Sequence, residues 1–421
     1  MKVKLIISVV AFLGISTFCS CSDSDDFNKG KELELSTATR ATASQLESFY
    51  IDFAKDAFKL IDANCEKQSD RVNAIVSPLS ASFALGMLAN GLDADMQSKL
   101  AKYLGVDDIH GLNELSKTLI DGLPGVDGRS EIKISNAVWS SDKFNLNEDF
   151  SDVMRGVYNS SLQYIDFSDA EKARTNINNW ISSATKNKIN DFFPVLSPAT
   201  CFVLANAFYF ESQWADEYFE KSDTKKEAFY GLNVSASEEE KDDMVSKVDM
   251  MHSSVIDVPY FKDEDFEFVS IPFGNKSFSF NILLPDSDLD FDEALEKLNK
   301  ERYSDIVSKA YTKRIFIDMP KLDIDSKIDI CQLLNSVGID LDAAMIEMFD
   351  DRSYDGITIM ARQSSNFTLD EEGVKIVSAT VDDGALGAPM YYVMEVNRPY
   401  LFFITEKTTN ACLLAGRVLG F

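Results

Sequence analysis

Hydrophobic residues recur at helical spacing from Gln45 to Asp62, where Leu46, Phe49, Tyr50, Phe53, Ala57, Phe58 and Ile61 share one face and predict an amphipathic helix. Ile75 and Val76 predict a short strand, Ser77 with Pro78 a cap and first turn, and Ser80 to Asn90 a helix too apolar to face water. The serines and Gly86 of that helix permit close backbone approach, and the hydroxyls need partners inside. Further helices are predicted at Ala94 to Tyr103, Phe150 to Tyr158 and Ile177 to Ile189, the last with Trp180 on its apolar side. Ile132 to Trp139 alternates as a strand, and Cys201 to Trp214 reads as a buried strand broken by one amide, Asn206. A buried amide needs both its oxygen and its nitrogen satisfied, so Asn206 is expected to join a hydrogen-bond network between elements.

The window from Asp370 to Val396 changes character part-way. A polar hinge around Gly373 leads into a β-branched, strand-like run, Val374 to Val381, which gives way at Asp382 to small, acidic and turn-forming residues through Pro389. That composition suits an exposed, protease-accessible tip. Taken alone, the window also fits an ordinary strand and surface loop.

The chain has 421 residues, and no Pro/Gly/Ser-rich break or internal repeat divides it after Leu46. One large domain is expected over residues 44–421, behind a polar tether over 21–43 and a signal segment over 1–20. Lys2 and Lys4 precede an apolar run, Leu5 to Phe18, that is long enough for a signal segment and short for a membrane span. Ser20 before Cys21 resembles a bacterial lipobox, which implies acylation at Cys21. The acidic Ser22 to Asp26 resembles the export tag of surface lipoproteins in Bacteroidetes. The expected address is therefore the outer membrane, on its exposed side, with the lipid as the only membrane contact.

Charge and side-chain chemistry remove several function classes. Against 69 acidic residues stand 41 lysines and arginines, a net charge of −28, which argues against nucleic-acid or heparin partners. Cys65, Cys201, Cys331 and Cys412 are widely spaced in apolar surroundings and are expected to be buried free thiols. With only His110 and His252, and no GxSxG, HExxH or Walker loop, the chain is not expected to be an enzyme or to hold a cofactor or metal. Asp286 to Asp292 lacks the Gly and Glu of a calcium loop and is better taken as the start of a helix at Phe291 to Leu298.

Motifs in order along the chain resemble those of the serpins. Ser77, Pro78 and Ser80 match the family's S-P-x-S; Ile177, Asn178, Trp180, Thr185, Lys188 and Ile189 its I-N-x-W and T-x-x-K-I helix; and Val203, Leu204, Asn206, Ala207, Tyr209, Phe210 and Trp214 its buried strand. Asp223 to Phe229, Val248 to Met251, Ile282 to Pro285, Met319 to Leu322, Gly338 with Ile339, Asn397 to Ile404 and Leu413 to Val418 continue the match to the C-terminus.

The resemblance implies an α+β serpin fold of three β-sheets with about nine helices and an exposed reactive-centre loop, here over about 373–394. It implies a monomer that offers the loop to a target protease, is cut, and traps the acyl-enzyme by inserting the loop into the central sheet. The loop hinge is then Glu371, Glu372, Gly373, Val374, Ile376, Ser378 and Thr380, with even-numbered side chains turning inward. Bait residues are Leu386, Gly387, Ala388 and Met390; counting from the hinge puts the cut at Gly387–Ala388, and counting back from Asn397 at Ala388–Pro389. With no Arg or Lys from Thr380 to Val396, elastase-, chymotrypsin- or subtilisin-like serine proteases, or a papain-like cysteine protease, fit better than trypsin-like ones. Ser77, Ser80, Asn206 and Gln363 are expected to form the network that controls sheet opening, with Gln363 in place of the family's His and partnered by Asn206 and Ser77; Trp214 marks the loop's entry. Ile376 and Val377 are bulkier than the small residues inhibitory members prefer, and Asp382 would also turn inward. A serpin-fold binding protein that is cleaved as a substrate is the alternative.

Overall fold

Ser36 accepts a hydrogen bond from the Thr39 N–H at 3.1 Å and starts helix α1, Thr37–Asp62, whose buried stripe includes Leu46, Phe49, Phe53 and Ala57. The helix therefore begins inside the stretch expected to be tether, because Ser36 caps it and the small polar residues after the cap tolerate a helix. The computed structural model describes residues 30–63, 65–67, 70–189, 192–232, 245–341, 347–350, 358–374 and 391–421.

After α1 come β1 (Ala74–Val76), α2 (Pro78–Ala89), α3 (Ala94–Leu104), α4 (Ile109–Gly122), β2 (Ser130–Ser141), α5 (Glu148–Gly156), β3 (Ser161–Ile165), α6 (Ala170–Ala184) and β4 (Thr200–Gln213). A run of strands follows: β5 (Lys225–Tyr230), β6 (Val245–His252), β7 (Ile256–Lys262), β8 (Phe266–Phe273) and β9 (Phe278–Pro285). The chain continues through α7 (Phe291–Lys297), α8 (Lys300–Lys309), β10 (Tyr311–Pro320), β11 (Leu322–Asp329), α9 (Ile330–Ser336), β12 (Thr358–Leu369), β13 (Gly373–Val374), β14 (Tyr392–Glu395), β15 (Tyr400–Glu406) and β16 (Cys412–Val418).

The strands form two sheets among the described residues. One runs β11-β12-β4-β2-β3 with β13 beside β4; the other runs β1-β16-β15-β9-β8-β7-β10-β6-β5 with β14 beside β10. Three sheets were expected, and the difference lies in β10. Its first half pairs with β7, Tyr311 opposite Tyr260, and its second half with β6, Asp318 opposite His252, so one hydrogen-bond ladder runs through what would otherwise be two sheets.

Helix α2 is buried on every side, as its composition requires, and contributes Leu79, Phe83, Leu85 and Met87 to the main core. A second core lies beneath α6, where Ile177 and Ile181 meet Trp139, Val203 and Phe193, and Trp180 packs edge-on against Trp139 at 5.3 Å. Asp290 caps α7 by accepting from the Asp292 N–H at 2.9 Å, so the acidic run is a helix start. Among the described residues no disulfide joins the four cysteines, and only Cys412 is buried; Cys65, Cys201 and Cys331 are half-buried because each lies at or near the end of an element.

Candidate functional site

Strands β4 and β12 are parallel neighbours only along part of their length. They pair from Thr358 opposite Thr200 to Arg362 opposite Ala205 and then part. Beyond that point β12 keeps its partner β11 up to Leu369 opposite Leu322, and β4 keeps β2 up to Ser212 opposite Ser130. Between them is a cavity of about 350 Å³, lined by Phe208 and Phe210 of β4, Asn366 and Thr368 of β12, Thr185 and Ile189 beyond α6, and Val374. Among the described residues the sheet is split here, with one edge of β4 and one of β12 facing each other without a ladder between them.

Strand β13 sits in the mouth of this split. Gly373 pairs antiparallel with Gln213 and Val374 with Ser212, and Val374 is buried. The turn before it is closed by Asp370 and Gly373, whose backbones exchange bonds of 3.0 and 3.1 Å. Gly373 has φ +110°, a conformation that side chains with Cβ rarely adopt. Trp214 reads this turn twice: its backbone N–H donates to the Glu372 carbonyl at 3.2 Å, and its indole N–H to the Asp370 carbonyl at 3.1 Å. Stacking on Phe273 at 4.6 Å fixes the indole plane.

The hinge acids are clasped individually. Glu371, only 4% exposed, pairs with Lys321 at 2.7 Å and accepts from the Thr224 hydroxyl, while Glu372 pairs with Lys221. Burial pushes the Glu371 carboxyl up, but the bonds from Lys321 and Thr224 outweigh it and hold it below the ordinary value. Burial, with the neighbouring Glu372 and Glu371 charges, raises Asp370.

Below the split lies the buried polar network. Gln363 accepts from the Ser77 N–H at 2.9 Å and donates to the Ser77 carbonyl at 2.7 Å, and the Ser77 hydroxyl donates to the Leu413 carbonyl at 2.6 Å. Asn206 does not bond Gln363 as expected. It accepts from the Ser80 hydroxyl and donates to Asn136 at 2.6 Å, because the register puts Asn136 directly opposite it on β2. Asn136 donates onward to the Tyr158 carbonyl at 2.7 Å. Breaking such a chain leaves a buried partner unsatisfied at a cost of about 1–3 kcal/mol per group. Asn136 and Tyr158 were missed in the sequence, although a lone amide in the strand around Asn136 was a signal of the same kind as Asn206.

Ser77, Ser80, Asn206, Gln363, Trp214, Glu371, Glu372, Gly373 and Val374 thus lie along one split and its mouth. Ile376, Val377, Ser378, Thr380, Asp382, Leu386, Gly387, Ala388, Met390 and Cys21 lie outside the described residues.

The family model described as "Serpin (serine protease inhibitor)" matches residues 51–420. The chain belongs to the serpin family. Iripin-3 of Ixodes ricinus is 25% identical over 97% of this serpin and 98% of its own length. A serine protease inhibitor of Cyanea capillata is 28% identical over 82% and 92%. Among solved structures, the thermophilic serpin tengpin in its native state superposes with a TM-score of 0.78 at 23% identity, covering 95% of this chain and 99% of its own. Human thyroxine-binding globulin complexed with thyroxine gives 0.77 at 20% identity over 90% and 99%, so the same architecture also serves a binding protein. Serpins act on target proteases and are mostly inhibitors rather than catalysts, and inhibitory relatives place this chain's broad function there.

Proposed function

We propose that this serpin is a suicide-substrate inhibitor of an endopeptidase. The observation that carries this reading is the split between β4 and β12 with Gly373–Val374 already paired in its mouth. The protease nucleophile attacks a carbonyl in the window Leu386 to Met390, the peptide C–N bond breaks, the C-terminal segment leaves with a protonated new amino terminus, and the freed N-terminal side of the loop remains as an acyl-enzyme. The freed segment then extends β13 down the split before water can hydrolyse the ester or thioester.

The existing pairs define the register of that extension. Continued in step from Val374 opposite Ser212, the inserted strand would bring Ile376 to Phe210, Ser378 to Phe208 and Thr380 to Asn206 of β4. From the Asp370–Gly373 bridge, the same residues meet Phe367, Ser365 and Gln363 of β12. Asn206 and Gln363 are also the next pair after Ala205 and Arg362, so β4 and β12 need only move apart by one strand spacing, with no slip along their axes. Polarity agrees with this register. Thr380 arrives between two amides, and Ile376 arrives at an aromatic layer where Phe210 meets Phe278 at 5.5 Å and Phe367 stacks with Phe280 at 6.2 Å. The bulk of Ile376 therefore has a matching apolar site, and each Å² it buries contributes about 25 cal/mol.

The missing basic residue in the bait supports an elastase-, chymotrypsin- or subtilisin-like serine protease, or a papain-like cysteine protease, as target. Cutting the bait is expected to raise the melting temperature by more than about 10 °C, as a new central strand adds several kcal/mol. Calorimetry before and after limited proteolysis checks this; an unchanged transition means the cut loop stays outside.

One observation favours the second reading, a serpin-fold binding protein cleaved as a substrate. In the same register Asp382 falls between Leu204 and Ala361, which are 1% and 2% exposed, and a carboxylate there opposes full insertion. We further propose attachment to the outer membrane through a lipid on Cys21, on the support of the Leu5–Phe18 run and Ser20. Cys21→Ser is expected to move the protein from the membrane fraction to the soluble one; continued membrane sedimentation contradicts this.

A further inference from the structure

Strand β14 begins two residues after Met390, the last bait residue, and fixes the far end of the loop. Its backbone hold is slight. Among the described residues it has one ladder, parallel to β10, from Ile315 opposite Tyr392 to Asp318 opposite Glu395. A short parallel edge strand is a weak attachment for a segment on which a protease must act.

Tyr392 supplies what the ladder lacks. Its hydroxyl donates to Glu267 Oε1 at 2.7 Å, and Glu267, on β8, is only 4% exposed. The same carboxylate accepts from the Tyr260 hydroxyl at 2.9 Å and pairs with Lys262 at 3.1 Å. Lys313 of β10 places its ammonium 3.7 Å from the centre of the Tyr260 ring and 4.0 Å from that of Tyr392, so one cation is held between two ring faces. Burial, followed by the Glu267 hydrogen bond, raises the Tyr392 hydroxyl and keeps it a donor. Just past β14, Arg398 donates twice to the Pro285 carbonyl, at 3.1 and 2.9 Å.

We propose that Tyr392 is the distal anchor of the bait loop, a positioning residue that latches β14 to β8 through Glu267 and to β10 through Lys313. The Asp370–Val374 turn holds one end of the loop and Tyr392 the other, so the C-terminal side of the cleaved bond stands at a fixed place on the body. The name "anchor of the bait" rests on the proposed inhibitor function; the latch itself does not.

Hydrogen–deuterium exchange on the uncut, full-length protein without protease separates the two. Tyr392→Phe keeps the ring beside Lys313 and loses only the hydroxyl, while Tyr392→Leu loses both. Amides of residues 392–395 are expected to exchange about tenfold faster in the Phe variant and about a hundredfold faster in the Leu variant, with β15 and β16 unchanged. A Phe variant that exchanges like the parent would reduce Tyr392 to packing and overturn the latch. Faster exchange spread equally through β15 and β16 would overturn it as well, showing general loosening. Neither outcome depends on whether a protease is trapped.

Discussion

Thr380→Arg is expected to turn this serpin from a trap into a substrate. Cleavage of the bait should proceed at the parent rate while the trapped fraction falls below about one percent. The cause lies in the register: Thr380 would pass between Asn206 and Gln363, which are 4% and 5% exposed. Threonine can share bonds with two amides there. A guanidinium has no counter-charge among Ser77, Ser80, Asn136 and Asn206, and placing it there costs several kcal/mol. Each 1.4 kcal/mol on the insertion barrier slows insertion about tenfold, and deacylation by water does not wait. Thr380→Ala, which inserts without charge, should remain inhibitory. Titrating protease against each variant and counting complex against cleaved product checks both; an Arg variant that still traps stoichiometrically would mean insertion stops above Thr380.

Gly373→Ala is the second large effect. A Cβ on Gly373 would stand 2.6 Å from the Ser212 carbonyl oxygen, 2.8 Å from the Trp214 nitrogen and 2.9 Å from the Gln213 carbonyl carbon. These are backbone atoms of β4 and of the turn after it, and they cannot swing away. The φ of +110° adds its own strain, so the hinge must leave its seat at a cost of roughly 3 kcal/mol. The uncut protein should melt several degrees lower. Trapping should also become less efficient, because the leading pairs with Gln213 and Ser212 no longer wait in place. Calorimetry and the same titration check this, and a variant that matches the parent in both would show that the seated hinge has no part in insertion.

The sequence exposed some parts of this site and concealed others, for physical reasons. Asn206 stood out because one amide in an apolar strand has to be satisfied, and it is, though by Ser80 and Asn136. Helix α2 and strand β4 were legible because burial on every side leaves a strong compositional trace. Lys321, Thr224 and Lys221 were not, since their roles come from pairing with Glu371 and Glu372 far along the chain. Gln363 was recognised as part of the network, but its choice of the Ser77 backbone depends on how β1 and α2 meet β12. The fusion of two expected sheets depends on one long strand, β10, holding two partners end to end, which a residue pattern of period two does not record. Ile376 looked like an obstacle by composition, and the apolar site proposed for it comes only from extending the register that starts at the Gly373–Gln213 pair.

Inhibition requires the loop to enter the β4–β12 split while the protease is still covalently attached. Incubation of the purified protein with elastase, followed by SDS electrophoresis and mass spectrometry of the released peptide, tests this. The expected result is a complex that survives SDS, together with a C-terminal peptide beginning at Ala388, the residue after the Gly387–Ala388 bond. Quantitative cleavage of the loop with no such complex would contradict the account.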